Sequence, residues 1–237
     1  MSKLRKILLV FAHPDDESFA TGGTIVKYSS IANTEIHLLC ATRGEAGQTG
    51  HPSICTKEDL PYVREKELQK AANILGIDHI RLLAHRDGTL DKIPTEILAQ
   101  EIKEYIDDFH PQIVITFPPH GISGHPDHIA IQKATMAAVK EASIVPYLYY
   151  ITIPESWVGK RTSPPYSDPD ESIHAVIECA EYKDQVAEAL RAHRTQNKSV
   201  DRAFPGVNQG KNDSVRTANH YILAWPERTL HKPLDAL

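Results

Sequence analysis

Short apolar runs, rich in isoleucine and valine, alternate with longer amphipathic stretches along most of the chain. Runs of four to six such residues are typical of strands that are buried on both faces of a parallel sheet. They predict strands at about 6–12, 35–41, 79–84, 112–117 and 147–153. Because helical patterns separate these runs, the alternation predicts an α/β fold. We expect a Rossmann-like, doubly wound, mostly parallel sheet with helices on both faces.

Three of the intervening helices carry clear signals. Pro61 suits the first turn of a helix that runs to Leu75, and Gly76 ends it. The next helix is marked by apolar residues at helical spacing, which are Leu98, Ile102, Tyr105, Ile106 and Phe109. A last long helix is predicted at about 178–194, with His193 on its apolar face as a residue of the core or of a crevice wall.

The C-terminal part of the chain is less regular. Residues 197–220 are polar and show no clear period, which predicts either a functional flap or a disordered segment. Residues 221–225 are apolar and predict an added edge strand. No internal repeat, low-complexity tract or second domain is visible, so residues 1–237 are expected to form a single domain.

Two polar clusters follow the first and the fourth predicted strands. The first is His13-Pro14-Asp15-Asp16-Glu17, and the second is His125-Pro126-Asp127-His128. In open α/β sheets the ligand crevice lies beyond the carboxyl ends of the strands. The two clusters can therefore meet in one crevice although they are distant in sequence.

The residue types in these clusters suit a divalent metal ion. One imidazole and one carboxylate from the first cluster, with one imidazole from the second, would make three ligands and leave a fourth position for water, as in catalytic zinc sites. Asp15 and the remaining histidine would then lie beside that water as general base and general acid. Spacing does not decide which of His125 and His128 binds the metal.

A purely structural explanation competes with this one. Proline and aspartate suit the first turn of a helix, so each cluster could simply begin a helix. In each cluster a histidine lies three residues before a second ligand-type residue, His13 before Asp16 and His125 before His128. Capping alone does not account for this repeated spacing.

These motifs resemble those of the PIG-L, or LmbE-like, family of N-acetylglucosaminyl deacetylases, which are zinc-dependent enzymes that remove acetyl groups from GlcNAc-type sugars. The resemblance extends over about residues 5–196. It implies a Zn²⁺ site formed by His13, Asp16 and His128. It further implies that Asp15 is the general base, and that His125 stabilises the oxyanion and protonates the departing amine.

The resemblance also implies substrate contacts by Arg64 and by Asp87. From the pattern alone, a solvated arginine is the commoner arrangement at Arg64, and Asp87 could be only the turn residue before Gly88. The motifs closely resemble those of the bacterial GlcNAc-malate deacetylases, which implies GlcNAc-malate as the substrate, with N,N'-diacetylchitobiose as the alternative. Arg43, Arg64 and Arg86 could each pair with a malate carboxylate.

Composition narrows the classes of partner. The formal charge is −5 and no basic run is present, which argues against a nucleic-acid partner. Three widely spaced cysteines indicate neither a disulfide framework nor a cysteine-based zinc site. The N-terminal apolar run is shorter than the roughly 7–15 residues of a secretory signal, and no stretch is long enough to span a membrane. We therefore expect a cytoplasmic protein that binds a small N-acetylated sugar. Enzymes of the family that the chain resembles often assemble, so the resemblance allows a homo-oligomer, but the sequence itself carries no signal of the oligomeric state.

Two other functions fit the same clusters. A metal-dependent binding or sensor protein would use the site without turnover, but it would not need Asp15 beside the ligands. A phosphoesterase would keep the metal and cleave a different bond. Two-metal phosphatases need more bridging carboxylates than the sequence offers, so we rank this function lower.

Overall fold

The computed structural model describes residues 4–158, 165–227 and 236–237. Its strands are β1 Arg5–Phe11, β2 Thr34–Thr42, β3 His79–His85, β4 Ile113–Thr116, β5 Tyr147–Thr152, β6 Ala175–Glu178 and β7 Ala218–Trp225. Its helices are α1 Asp16–Ser29, α2 Leu60–Leu75, α3 Thr95–Phe109, α4 Gly121–Gly124, α5 Pro126–Glu141, α6 Glu155–Val158, α7 Lys183–Ala192 and α8 Asn197–Ala203. Within these ranges, none of the helices has both the length and the apolar character needed to cross a membrane.

The strands form one sheet in the order β3-β2-β1-β4-β5-β7-β6. All neighbouring pairs are parallel except those of β7, which runs antiparallel to both β5 and β6. The helices pack in two groups, one of α1, α2 and α7 and the other of α3 and α5, as expected for the two layers that cover a doubly wound sheet. The predicted doubly wound, mostly parallel α/β fold is confirmed.

The strand order reverses between β1 and β4, and this reversal positions the candidate site. Connections from β1 lead away in one direction, and connections from β4 lead away in the other. A crevice opens at such a switch point, beyond the carboxyl ends of the two strands. The two polar clusters follow these two strands, so the topology brings them to the same crevice.

The helix signals in the sequence correspond to observed helices. Pro61 lies in the first turn of α2, and Gly76 ends it in a left-handed conformation with φ of 85°. The buried residues of α2 include Leu68 and Leu75, as their spacing predicts. In α3 the buried face follows the predicted stripe, with Leu98, Ala99, Ile102, Ile106 and Phe109.

The prediction that residues 197–220 form a flap or a disordered segment is wrong. The segment contains α8 and a 3-10 turn at Val207–Gln209, and its apolar residues Val200, Phe204 and Val207 are buried. These three residues are separated by four and three positions, so they mark one buried side of a compact segment. The polar residues between them hide that pattern.

Two further boundaries differ from the predictions. The last long helix is shorter than the predicted 178–194, because α7 begins at Lys183 after a 3-10 turn at Ala180–Tyr182. The strand predicted at 221–225 lies inside the sheet, between β5 and β6, rather than at its edge. Its central residue, Tyr221, is fully buried, as expected for an interior strand.

Candidate metal centre and active site

Three ligand-type side chains from the two clusters converge at the switch point. His13 follows β1, Asp16 begins α1, and His128 lies in the first turn of α5. His13 Nδ1 lies 3.2 Å from His128 Nε2 and 3.6 Å from Asp16 Oδ2. His128 Nε2 lies 3.4 Å from Asp16 Oδ1. The structure thus brings together residues that are separated by more than one hundred positions.

The spacing of these donor atoms fits a tetrahedral divalent metal. Ligand distances of about 2.0–2.1 Å around tetrahedral zinc place neighbouring donor atoms about 3.3 Å apart. The three observed separations lie close to that value. The donor set of two imidazoles and one carboxylate is also one that such metals prefer.

His13 is held from behind by two carboxylates. Its Nε2 lies 3.1 Å from Asp127 Oδ2 and 3.0 Å from Asp87 Oδ1. Asp127 is fixed in turn by the backbone N–H groups of Gly88 and Leu90, at 2.7 and 3.0 Å. Carboxylates that accept from the outer nitrogen of a metal-binding histidine set its orientation and basicity. With its proton on Nε2, neutral His13 presents the lone pair of Nδ1 to the centre of the site.

The charges around His13 favour a cation in this position. Burial works to lower the pKa of His13, but hydrogen bonds to Asp127, Asp16 and Asp87 outweigh it and raise the pKa well above its usual value. Burial works to raise the pKa of Asp16, but His128 and His13 outweigh it and hold that pKa far below its usual value. A group of carboxylates this dense requires positive charge, which a metal ion supplies as well as a proton does.

The ring orientation of His128 suits a ligand better than that of His125 does. His128 Nδ1 lies 3.0 Å from the carbonyl oxygen of Gly121 and donates to it, so the lone pair of Nε2 faces His13 and Asp16. The ring also stacks on Phe117, with centroids 3.9 Å apart. A second set of potential ligands, His13 with His125 and Asp127, uses a carboxylate that two backbone N–H groups already occupy.

His125 caps α5 and therefore has a defined tautomer. Its Nδ1 accepts a hydrogen bond from the backbone N–H of Asp127 at 3.2 Å. The proton of the neutral ring is then on Nε2. Burial and the nearby His13 and His128 lower the pKa of His125, which favours this neutral form. At the amino end of a helix, His125 is a neutral hydrogen-bond donor.

Asp15 has a backbone conformation that L residues rarely adopt. Its φ is 122° and its ψ is −28°, immediately before α1. Its N–H donates to Glu17 Oε2 at 3.1 Å, and its side chain pairs with Arg64 Nη2 at 3.1 Å. Burial raises the pKa of Asp15 to about 6, although Arg64 works to lower it. Backbone strain and a raised pKa are both typical of catalytic positions.

Arg64 and Asp87, the expected substrate-binding residues, both lie next to the residues described above. Arg64 is buried and donates to Asp15 and to the carbonyl oxygens of Pro14 and Gly44. Its Nε has no hydrogen-bond partner. Asp87 is also buried, and its second oxygen accepts from the N–H of Ala46 at 3.0 Å. Asp87 therefore contacts His13 of the converging set, whereas Arg64 contacts Asp15. Contact of either side chain with substrate remains a prediction.

Sequence reasoning missed a buried network that lies behind Asp15. Glu17 Oε1 contacts His193 Nε2 at 2.9 Å and accepts from Ser18 Oγ at 2.6 Å. Glu17 and His193 are almost completely buried. The sequence offered two signals, an acidic residue in the first turn of a helix and a histidine on an apolar face. Nothing in their spacing connects them, because they are 176 positions apart.

The residues that follow His193 bond to α2 and to the loop after β2. Thr195 donates to Glu67 of α2 from its N–H and its hydroxyl, at 2.9 and 2.6 Å. Gln196 donates to the carbonyl oxygen of Gln48 at 2.9 Å. In the same loop as Gln48, Glu45 accepts from the N–H of Asp87 at 3.1 Å, and its other oxygen is buried without a partner.

Comparison with known proteins agrees with this geometry. Residues 8–139 match the family model described as PIG-L, GlcNAc-PI de-N-acetylase. The probable N-acetyl-alpha-D-glucosaminyl L-malate deacetylase 2 of Bacillus anthracis is 37% identical over 201 residues, which cover 83% of each chain. The 1D-myo-inositol 2-acetamido-2-deoxy-alpha-D-glucopyranoside deacetylase of Mycolicibacterium vanbaalenii is 31% identical over 258 residues, covering 92% of this chain and 90% of its own.

A solved structure shows the same fold at lower sequence identity. The N,N'-diacetylchitobiose deacetylase of Pyrococcus horikoshii superposes with a TM-score of 0.70 at 20% identity. The superposition covers 92% of this chain and 82% of the other. At this identity the likeness establishes the fold, and the reaction must be argued from the site.

Proposed function

This chain belongs to the GlcNAc-PI de-N-acetylase (PIG-L) family, and we propose from that premise that it hydrolyses the N-acetyl group of a GlcNAc-type sugar. The observation that carries the proposal is the position of Asp15 beside the convergent donors His13, Asp16 and His128. A metal-binding protein without turnover does not need a strained, largely but not fully buried carboxylate next to its ligands. A hydrolase needs one to take a proton from water.

We propose Zn²⁺ as the metal, held by His13 Nδ1, His128 Nε2 and Asp16. The spacing of the donors and their chemistry support this choice. When bound there, zinc supplies Lewis acidity to a water molecule and to the acetyl carbonyl group. Asp127 and Asp87 hold His13 in the tautomer that such a ligand requires.

Asp15 is assigned the role of general base. The pKa of about 6 makes its carboxylate a stronger base than an ordinary aspartate, and it leaves Asp15 largely ionised at neutral pH. Its ion pair with Arg64 sets the direction in which the carboxylate points. After accepting a proton from water, Asp15 also holds a proton that the departing amine can take.

His125 is assigned the hydrogen bond to the developing oxyanion. Its Nε2–H is directed away from the helix cap, and the neutral ring donates a hydrogen bond without changing its charge. A donor placed for the transition state is typically worth about 10²–10³ in kcat. The family resemblance also gives His125 the proton transfer to the amine, which would require the imidazolium form that its environment disfavours.

The substrate is proposed to be GlcNAc-malate, because the Bacillus relatives carry that substrate in their names and share a third or more of their aligned residues with this chain. Arg43, Arg64 and Arg86 are the candidates for pairing with a malate carboxylate. Arg64 already has several acceptors, and Arg43 pairs with Glu65 at 2.9 Å. Arg86 is exposed beside Asp87, so we assign the first contact with malate to Arg86.

The test is acetate release from GlcNAc, GlcNAc-malate and N,N'-diacetylchitobiose by the full chain, with and without zinc and a chelator. We expect turnover that requires zinc and is fastest with GlcNAc-malate. Asp15→Ala should keep its zinc and lose about 10²–10⁴ in kcat, the usual contribution of a general base. The matched control is Asp107→Asn, which removes a carboxylate that pairs with Lys103 on α3, and we expect it to leave turnover unchanged.

Each other outcome has a defined meaning. Fast turnover of chitobiose with none of GlcNAc-malate would replace the proposed substrate and keep the reaction. Zinc binding without acetate release from any N-acetyl sugar would favour a binding or sensor protein. Full activity of Asp15→Ala would remove Asp15 from the role of base.

A further inference from the structure

A second cluster of ligand-type side chains lies on β2 and β3, away from the candidate active site. Glu35, His37 and His79 each offer one donor atom, and these atoms all lie within 4.8 Å of one another. Glu35 and His37 are two residues apart on β2, so they lie on the same face of the sheet. His37 pairs in register with His79 on β3, and the two rings are 4.5 Å apart.

The ring of His37 is fixed by its neighbours on α3. It stacks on Phe109, with centroids 3.6 Å apart, and its Nδ1 lies 2.9 Å from the hydroxyl of Tyr105. Its Nε2 therefore faces the Oε1 atom of Glu35, at 3.0 Å. Tyr105 thus occupies one ring nitrogen of His37, as the outer hydrogen-bond partner of a metal-binding histidine does. The other ring nitrogen is left for a metal ion that Glu35 would also bind.

The exposure of His79 suits the binding of an incoming ion. His79 is exposed and lies on an edge strand, so its ring can move toward an incoming ion without disturbing the core.

The position and the surroundings of the cluster separate it from the catalytic centre. Glu35 and His37 lie near the beginning of β2, whereas the catalytic centre lies beyond the carboxyl ends of β1 and β4. From His37 to the end of β2 the chain runs about 16 Å at 3.3 Å per residue. Lys6 Nζ lies 4.0 Å from Glu35 Oε2. Its positive charge repels a metal ion bound there, so the metal affinity should be lower than in a site without a nearby cation.

We propose that Glu35, His37 and His79 form a second metal site that takes a borderline divalent transition-metal ion such as Zn²⁺. Two imidazoles and one carboxylate select this class over Mg²⁺ and Ca²⁺, which prefer oxygen ligands. Strands β2 and β3 hold the two histidines at a fixed spacing, and the exposed side leaves room for water to complete the coordination.

The experiment is a calorimetric titration of the metal-free full chain with ZnCl₂, which does not depend on the proposed enzymatic function. We expect the wild type to take up one more equivalent of Zn²⁺ than His79→Ala does. Glu35→Gln should weaken the same equivalent at least about 10-fold. The matched control is His110→Ala, which removes an exposed histidine at the end of α3 and should bind as many ions as the wild type.

Equal stoichiometry in the wild type and His79→Ala would overturn the proposal, as would loss of one equivalent in His110→Ala. Because His79 is exposed, its replacement should not prevent folding, and a thermal melt of each variant without metal verifies this. The catalytic centre is tested separately in the same titration. Asp16→Asn should lose one equivalent and still keep the one that depends on His79.

Discussion

The backbone of Asp15 predicts a difference between two substitutions that remove the same side chain. With φ of 122°, Asp15 occupies a region that glycine enters freely and other residues enter at a cost. Asp15→Ala and Asp15→Gly both eliminate the carboxylate and its pairing with Arg64, so that loss cancels between them. What remains is the strain of holding a Cβ atom in this conformation. Asp15→Gly should therefore be the more stable of the two variants.

The size of the difference follows from two opposing contributions. A non-glycine residue in such a region costs about 1–3 kcal/mol. Glycine, however, lowers stability by about 0.5–1 kcal/mol relative to alanine, because its unfolded chain has more conformational freedom. The middle of the first range minus the middle of the second leaves Asp15→Gly a net advantage of about 1.3 kcal/mol. At about 2–4 °C per kcal/mol for a domain of this size, its Tm should be about 3–5 °C higher.

The assay is thermal unfolding of both variants, followed by circular dichroism, each measured after treatment with the same chelator and again after loading with zinc. Both variants should lose the activity of a general base, so the stability difference must appear without any difference in turnover. Equal Tm values, or a lower Tm for Asp15→Gly, would refute the claim that Asp15 is strained. A crystal structure of Asp15→Ala with φ in a common region would refute it as well.

Three further predictions follow from the site and the fold. Glu17→Gln removes the charged partner of His193. Because the pKa of Glu17 is lowered and that of His193 is raised, both groups are fully charged in the folded protein between about pH 4.5 and 6.5. The variant should therefore lose more Tm at about pH 5.5 than at about pH 9. Phe204→Ala should lower the free energy of unfolding by about 3–5 kcal/mol in urea titrations, since Phe204 is buried against Phe19. A chelator should lower the Tm of the wild type, and zinc should restore it. A Tm that changes with neither the chelator nor zinc would argue against a bound metal.

The sequence predicts the fold well where one kind of residue dominates a segment. The apolar runs that became β1 and β4 are buried almost completely, so no neighbouring element could change their role. Residues 197–220 were missed because their few buried positions stand among polar residues. The interior place of β7 was missed because strand order depends on the whole sheet, and a single apolar run carries no information about its neighbours.

The candidate site, like the fold, could be predicted from the sequence only in part. Motif spacing and strand ends are enough to predict that the two polar clusters meet, because the switch point fixes the carboxyl ends of their strands. The choice of His128 over His125 came from the family resemblance. Burial of Arg64 beside Asp15 is not visible in a helix pattern that places it off the apolar stripe. The pairing of Glu17 with His193 depends on α7 packing against α1, a tertiary contact with no local signal.

The strand β7, which runs antiparallel to its neighbours, also ties α1, the helix that begins at Asp16, to the C-terminal part of the fold. Asn219 accepts from the N–H and the hydroxyl of Thr24 in α1, at 2.9 and 3.0 Å, and Tyr221 donates to the same hydroxyl at 2.6 Å. During synthesis on the ribosome, β6 emerges before β7 and has no strand to pair with until β7 arrives. The helix that begins at Asp16 gains these anchors only then, so a nascent chain that stops before β7 would hold both polar clusters without the support that aligns them.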